Sequence, residues 1–303
     1  MEELLQSLVT QRLKSFEVLI IDDGSKDRSD LVVDRFRDKL NIHYYYKPNQ
    51  GPGPSRNFGY EHARGEYFVV FDSDCLIPEH YFEAVEEALM REPLDAWGGP
   101  DRAADEFTLL QRAMGYTMSS LLTTGGIRGG SKSMDRFQPR SFNMGISRRV
   151  FESTGGFLFD RYAEDIEFSI RIRKAGFRTG LIPEAFVYHK RRTNFRQFYR
   201  QVSNFGKGRA LVGAKHKDAI KVTHWLPTLF VFAVVSLPFL YLFFPPLFTA
   251  LGSLLIIYFL AIFFHAWSVN QNLAVALLSV PSAMIQLWGY GTGFFKQWLM
   301  RNE

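Results

Sequence analysis

Short apolar runs alternate with charged stretches over roughly the first 222 positions, and the spacing of that alternation predicts the elements. After Glu17, Val18-Leu19-Ile20-Ile21 is apolar, and so is Tyr67-Phe68-Val69-Val70-Phe71, both rich in β-branched or aromatic residues. Such runs suit parallel strands buried on both faces. The pattern predicts strands over 16–21, 41–46 and 66–71, interleaved with helices over 1–13, 28–38, 55–63 and 78–90. A Gly/Pro-rich loop is expected at 48–54. Further on it predicts a strand at 94–100, a helix at 106–121, a mobile Gly/Ser/Arg-rich loop at 123–136, a strand near 141–147, helices at 148–153 and 164–175, and a strand at 177–182. This order argues for βαβ units and an α/β domain with a mostly parallel sheet.

From Trp225 onward the pattern changes to nearly continuous Leu, Phe, Val, Ile and Ala. Trp225 to Phe244 and Leu247 to Phe264 carry no charge, and Pro245-Pro246 separates them as in a tight hairpin. Roughly 20 apolar residues cross a bilayer, so both segments qualify as spans. Leu273 to Phe295 is uncharged too, but it holds Pro281 and several small residues, and reads equally as a span or as a segment that dips in and returns. The expected division is a soluble domain over 1–222 and a membrane domain of two to three helices over 223–303. Trp225, Tyr241, Trp267, Trp288, Tyr290 and Trp298 lie near segment ends, where aromatic belts form.

Charge then orients the chain. Arg209, Lys215, Lys217 and Lys221 precede the first span, so the soluble domain is expected on the cytoplasmic face of the inner membrane. Lys296 and Arg301 in the tail also favour the inside, which conflicts with three crossings and leaves their number open. The net charge of +5 gathers beside the membrane segments, so it calls for lipid headgroups, with no nucleic-acid partner expected. A single cysteine, Cys75, excludes an internal disulfide and suits a reducing compartment. The amphipathic start, Met1 to Gln11, does not read as a cleavable signal.

Candidate chemistry sits at strand ends. Asp72-Ser73-Asp74 follows the run at 67–71. Two carboxylates this close resist joint ionisation. A hard divalent cation, Mg²⁺ or Mn²⁺, relieves that and takes one or two protein carboxylates plus phosphate oxygens; a turn or a cap before Pro78 is the other reading. Asp22-Asp23-Gly24-Ser25 suits a ribose or base site, and equally an Asx turn that opens the next helix. In Asn49-Gln50-Gly51-Pro52-Gly53-Pro54-Ser55-Arg56-Asn57, Ser55 is a candidate cap. Arg56 in a first helical turn opposes the dipole, a cost explained if it faces an acidic crevice or an anion. Gly155-Gly156-Phe157 followed by Ala163-Glu164-Asp165-Ile166 places Asp165 in a first turn, where the dipole favours its anion. A carboxylate there serves as a general base or simply as an N-terminal helix acid. His189 follows the strand-like Ala185-Phe186-Val187-Tyr188 and can complete a metal shell. The nearby Lys190, Arg191, Arg192, Arg196 and Arg200 suit a diphosphate or, equally, anionic headgroups.

In this order and spacing, VLIIDDGSKD, PNQGPGPSRNFGYEHARGEYFVVFDSD, GISRRVFESTGGF, AED at 163–165 and HKRRTNFRQFYRQ resemble the family 2 glycosyltransferases of GT-A fold over about residues 1–210. The resemblance implies inverting transfer of a sugar from a nucleotide-diphosphate donor. It assigns Asp23 and Arg56 to the base, Asp72 to the ribose, Asp74 to the cation with His189 as a further ligand, Asp165 to the catalytic base and Glu164 to the acceptor. The acceptor implied is a lipid-linked or growing glycan, in polysaccharide or cell-envelope synthesis. A processive synthase is disfavoured, because Arg200-Gln201-Val202-Ser203-Asn204 supplies no Gln-x-x-Arg-Trp motif. Family members open with a strand and a Pro-x-Tyr-Asn-like turn, whereas this chain opens at Met1-Glu2-Glu3-Leu4, inside the following helix. The sheet is therefore expected to lack a central member and to show unpaired edges. Two readings follow: a true start upstream, or a membrane protein that keeps the fold only to bind a partner.

Overall fold

The structure is a computed structural model, and it describes residues 1–102, 107–124, 137–189 and 192–300. The expected loop at 123–136 falls mostly outside the described residues. Two compact units emerge. The first is built from residues up to 102 together with 137–189. The second gathers residues 107–124 and everything described from 192 onward, so the expected boundary near 222 falls within it.

In the first unit the predicted elements are present with trimmed ends. Helix α1 (Glu2–Val9) is shorter than expected. The Gln11 side chain is almost fully buried and donates to the carbonyls of Ser7 and Pro78, which draws the chain out of the helix. Strand β1 (Val18–Asp23), helix α2 (Ser29–Asp34) and strand β2 (Ile42–Lys47) follow. Helix α3 (Pro52–His62) begins earlier than predicted, with Pro at its first position, where no intrahelical amide is required. Next come β3 (Tyr67–Phe71), β4 (Cys75–Leu76), α4 (Tyr81–Arg91), β5 (Ala96–Gly98) and β6 (Asp101–Arg102).

Past helices α5 (Leu109–Ser119) and α6 (Leu121–Thr124) of the second unit, the first unit resumes. It continues with β7 (Asn143–Ser147), α7 (Arg148–Thr154), α8 (Glu164–Lys174), β8 (Thr179–Leu181) and β9 (Val187–His189).

The pairing is mixed. Strands β1 and β2 are parallel. A second sheet has the order β3-β7-β5-β8, with β7 antiparallel to both neighbours and β5 parallel to β8. A third joins β4, β9 and β6. The α/β class is as expected, and the antiparallel β7 makes the sheet less parallel than the run pattern implied. Among the described residues β1 pairs only with β2, and β3 only with β7. Ile20, Ile21, Val69 and Val70 stay half-buried, although their runs have the composition of two-sided burial. One core holds Leu5, Val18, Val33, Tyr81 and Trp97, and a second holds Tyr60, Phe68, Met144 and Phe168.

The second unit is helical. It comprises α5 and α6, then α9 (Phe195–Lys215), α10 (Leu226–Phe243), α11 (Pro245–Asn270) and α12 (Leu273–Met300). Three helical stretches here, 222–243, 245–270 and 273–300, are long and apolar enough to cross a membrane. Glycines set the spacing of α9 against α12: a Cβ on Gly206 would meet the Tyr290 carbonyl oxygen at 2.2 Å, and one on Gly293 the Ser203 carbonyl oxygen at 2.2 Å. Small residues let helix backbones approach this closely.

Candidate active site

The parallel register places Asp23 opposite Lys47, whose Nζ donates to Asp23 Oδ1 at 2.7 Å. The backbone amides of Gln50 and Gly51 donate to the same carboxylate at 2.8 and 2.7 Å. Asp23 thus holds the Gly/Pro loop against the strand end. Asp22 accepts from the Ser25 amide and the Tyr44 hydroxyl, each at 2.7 Å, which is the turn expected at this strand end. Burial works to raise both carboxyls, but these donors outweigh it and hold both below their usual value near 3.8. A depressed carboxyl pKa stabilises the fold above the unfolded value, and that contribution disappears as pH falls through the folded one. The thermal midpoint in detergent is therefore expected to be level down to about pH 5 and to drop below about pH 4. Asp22→Asn should start lower at neutral pH and fall less steeply in acid; an unaltered acid slope would remove Asp22 from this role.

The loop is next pinned to the segment that leads into α8. Gly51 has φ of +103°, which a Cβ disfavours. The Gly53 amide donates to the Asp160 carbonyl at 3.0 Å, and a Cβ on Gly53 would lie 2.0 Å from the Phe159 carbonyl oxygen. Asn57 and Phe157 exchange two bonds of 2.8 Å, side-chain amide to carbonyl and backbone amide to Oδ1. Gly53→Ala is accordingly expected to cost about 1–3 kcal/mol of stability by overpacking, and to weaken donor binding by shifting the start of α3. An unchanged melting temperature with native donor affinity would show that the backbone yields freely here.

Arg56 now falls in the second turn of α3, because the helix starts at Pro52. The dipole conflict expected of a first-turn arginine is correspondingly reduced. Ser55 does not cap the helix; its hydroxyl donates to the Gly51 carbonyl four residues back, at 2.8 Å. Arg56 is the pivot of the site. Its Nη1 donates to Glu164 Oε1 at 2.6 Å and its Nη2 to Asp72 Oδ1 at 3.0 Å, while the guanidinium lies over the Phe157 ring. A buried guanidinium would lose basicity, but the two carboxylates raise it instead. Burial and the adjacent Asp165 push the Glu164 carboxyl up, against the pull of Arg56.

Asp165 occupies the first turn of α8, as expected. Its Oδ1 accepts from the Ile166 amide at 2.8 Å, and its Oδ2 lies 3.8 Å from Arg140 and 3.5 Å from the Ser141 amide. Ala163, just before, has φ of 55° in the left-handed region, a strained position for a residue with a Cβ. That bend is what turns Glu164 and Asp165 into the helix.

Asp74 lies on the turn between β3 and β4. The next residue, Cys75, pairs in register with His189 of β9, so the backbones of Asp74 and His189 come close; the His189 side chain lies outside the described residues. Burial and then Asp72, Asp74 and Asp101 push the Cys75 thiol up to about 12, so a third carboxylate, Asp101 of β6, shares this field. Among the described residues no three side chains form a ready metal cage. Carboxylate oxygens at one strand end are the donor type that a cation of the Mg²⁺ or Mn²⁺ kind takes.

Of the seven predicted residues, Arg56, Asp72 and Glu164 touch directly, and Asp165 adjoins them. Asp23 stands apart in the loop network. Asn57, named within the Gly/Pro segment, joins the site, as do Lys47, Arg140 and Ser141, which had not been singled out. Lys47 was identifiable only through the β1–β2 register, and Arg140 and Ser141 only through tertiary contact. Behind them the buried Glu167 takes two bonds of 2.9 Å from Arg171 Nε, and Arg171 also donates to the Thr154 carbonyl, so α8 is tied to the end of α7.

Comparisons with known proteins bear on the fold and the family. A stretch of 75 residues is 45% identical to the uncharacterised glycosyltransferase RC0461 of Rickettsia conorii, covering 24% of this chain and 12% of that protein. A stretch of 137 residues is 31% identical to the poly(ribitol-phosphate) beta-N-acetylglucosaminyltransferase TarS of Staphylococcus aureus, covering 39% of this chain and 24% of that one. The chain therefore spans well under two thirds of the length of these curated relatives. Among solved structures, the Pyrobaculum calidifontis mannosyltransferase PcManGT, in complex with GDP-Man and Mn²⁺, is similar with a TM-score of 0.61 at 18% identity, covering 95% of this chain and 83% of that one. The likeness establishes the GT-A fold. The model of the family described as "Glycosyl transferase family 2" matches residues 1–166, more than half of the sequence, so the chain belongs to that family.

Proposed function

We propose that the chain transfers a sugar, with inversion, from a nucleotide-diphosphate donor to a lipid-linked or glycan acceptor at the cytoplasmic face of the inner membrane. The product would be an envelope or surface polysaccharide. The observation that carries this reading is the double bridge of Arg56, which joins the donor-side Asp72 to the acceptor-side Glu164, with Asp165 next in sequence. TarS, whose name records transfer of N-acetylglucosamine to poly(ribitol-phosphate), supports the substrate class.

Asp165 removes the proton from the acceptor hydroxyl, and that oxygen forms the new bond to the anomeric carbon as its bond to the diphosphate breaks from the opposite face. Glu164 orients the acceptor. Asp23 and Arg56 shape the base site and Asp72 meets the ribose. Asp74, with His189, would hold a divalent cation, which when bound would supply positive charge to the leaving diphosphate.

Washed membranes carrying the chain should release nucleoside diphosphate from one of a panel of nucleotide sugars. Excess EDTA should block that turnover, and Mn²⁺ or Mg²⁺ should restore it. Full turnover in EDTA would remove the cation from the reaction. No release from any donor would favour the second reading, a fold kept for binding alone, which the one-sided pairing of β1 and β3 motivates.

A further inference from the structure

The second unit contains a contact pattern that separates the third apolar helix from the other two. Helices α10 and α11 form an antiparallel hairpin. Phe230 meets Phe259 at 6.1 Å and Tyr241 meets Phe248 at 5.3 Å between ring centroids, so each step up one helix matches a step back along the other. On that ladder, residues 223–232, the start of α10 and the turn before it, share a level with 257–266 of α11, at the open end of the hairpin. Helix α12 meets both legs at this one level. Its first half packs Ala276 and Ala283 with Ile262 and Ala266 of α11. Its second half meets the start of α10. Thr228 donates to the Gly291 carbonyl at 3.1 Å, Trp225 packs on Phe294 and Trp298, and Phe232 packs on Phe295.

Ala276 and Phe294 are about 27 Å apart along α12 at 1.5 Å per residue, close to the thickness of a hydrocarbon core. A helix that crossed beside the hairpin would climb from its open end to its tip over that distance. This one ends where it began, at the open end. From this the geometry points to a chain with two crossings, α10 and α11, and an α12 that lies in the plane of the interface across the base of the hairpin, against an anionic lipid surface.

Three further observations agree. Of the three candidates α12 has the lowest mean hydropathy, 1.4 against 2.1 and 2.5, and 44% of its apolar window is buried in protein against 6% for each of the others. Its exposed side chains Leu273, Leu277, Met284, Trp288 and Leu299 recur at helical spacing as one apolar stripe, with the exposed Lys296 off to one side of it, the arrangement an in-plane helix presents to the acyl boundary and the headgroups. The basic helix α9 packs along its second half, with Val202 against Gly289 and Gly206 against Tyr290. Arg196 and Arg200 are exposed on α9, and headgroup level suits them while the bilayer centre does not. The placement also removes the conflict posed by Lys296 and Arg301, since an even number of crossings returns the tail to the side of the segment before α10.

The inference rests on the membrane part of the proposed function, and the test separates the two. Single cysteines are placed at Lys217 before α10, at Gln271 between α11 and α12, and at Met300; native Cys75 is 1% exposed and stays silent. Membrane vesicles of known orientation are treated with an impermeant maleimide. All three sites should label from the same side and lose all labelling when a quencher is added there. Nitroxides at Leu277→Cys, Met284→Cys and Leu299→Cys should report one shallow depth by oxygen and nickel accessibility. Labelling of Met300→Cys from the side opposite Gln271→Cys, or a nitroxide depth that passes through the bilayer centre, overturns the in-plane placement while leaving the membrane reading intact. Release of the chain by a carbonate wash overturns both.

Discussion

Asp165→Asn is expected to lower turnover by about 10²–10⁴-fold, the range of a positioned general base, while donor affinity changes little. Asparagine is nearly isosteric. Its Oδ1 can still accept from the Ile166 amide, so the first turn of α8 keeps its local bond. What disappears is the anion, and with it the acceptor for a hydroxyl proton. Arg140, 3.8 Å away, loses its partner, but it is nearly a third exposed and water replaces the interaction at small cost. The measurement pairs donor binding by calorimetry with single-turnover kinetics. Equal losses in both would make Asp165 part of the donor site, and retained turnover would place the base elsewhere.

The fold was legible where periodicity is a local property. The runs at 18–21 and 67–71 were legible as strands because they are short and rich in β-branched and aromatic residues. The direction of a strand is not local, which is why antiparallel β7 could not be read from its composition. Helix α1 looked longer than it is because the capture of Gln11 by the Ser7 and Pro78 carbonyls depends on a loop nearly 70 positions away. In the site, Arg56 drew notice as a basic residue near a helix start, although the earlier start of α3 at Pro52 reduces the dipole cost that flagged it. Its partners Asp72 and Glu164 could be proposed only through the resemblance, since Glu164 lies 108 positions away. Lys47 carried no local oddity at all: it is an ordinary strand-end lysine until the register sets it against Asp23. The in-plane character of α12 was equally hidden, because composition measures how apolar a helix is and says nothing about which neighbours it meets at each end.

Arg56→Met tests whether one guanidinium holds the two halves of the site together, and it should have the largest effect on stability of any single change here. The Arg56 side chain is 13% exposed, and that of Glu164 is 9% exposed. Removing one member of a buried ion pair while the others stay charged costs about 3–5 kcal/mol. Asp72 and Glu164 would then lose their shared cation, and the Glu164 carboxyl, already raised by burial and by Asp165, would move further up. A melting temperature several degrees lower in detergent is expected, together with weakened donor binding. Arg56→Lys should recover only part, because an ammonium is a point charge that cannot span Glu164 at 2.6 Å and Asp72 at 3.0 Å with a planar fork. Adding Glu164→Gln to Arg56→Met removes the stranded charge and should restore a measurable share of the lost stability, without restoring transfer. If the double variant melts no higher than the single one, the repulsion assigned to Glu164 is absent. If Arg56→Met keeps its melting temperature, the guanidinium is not what joins α3 to α8.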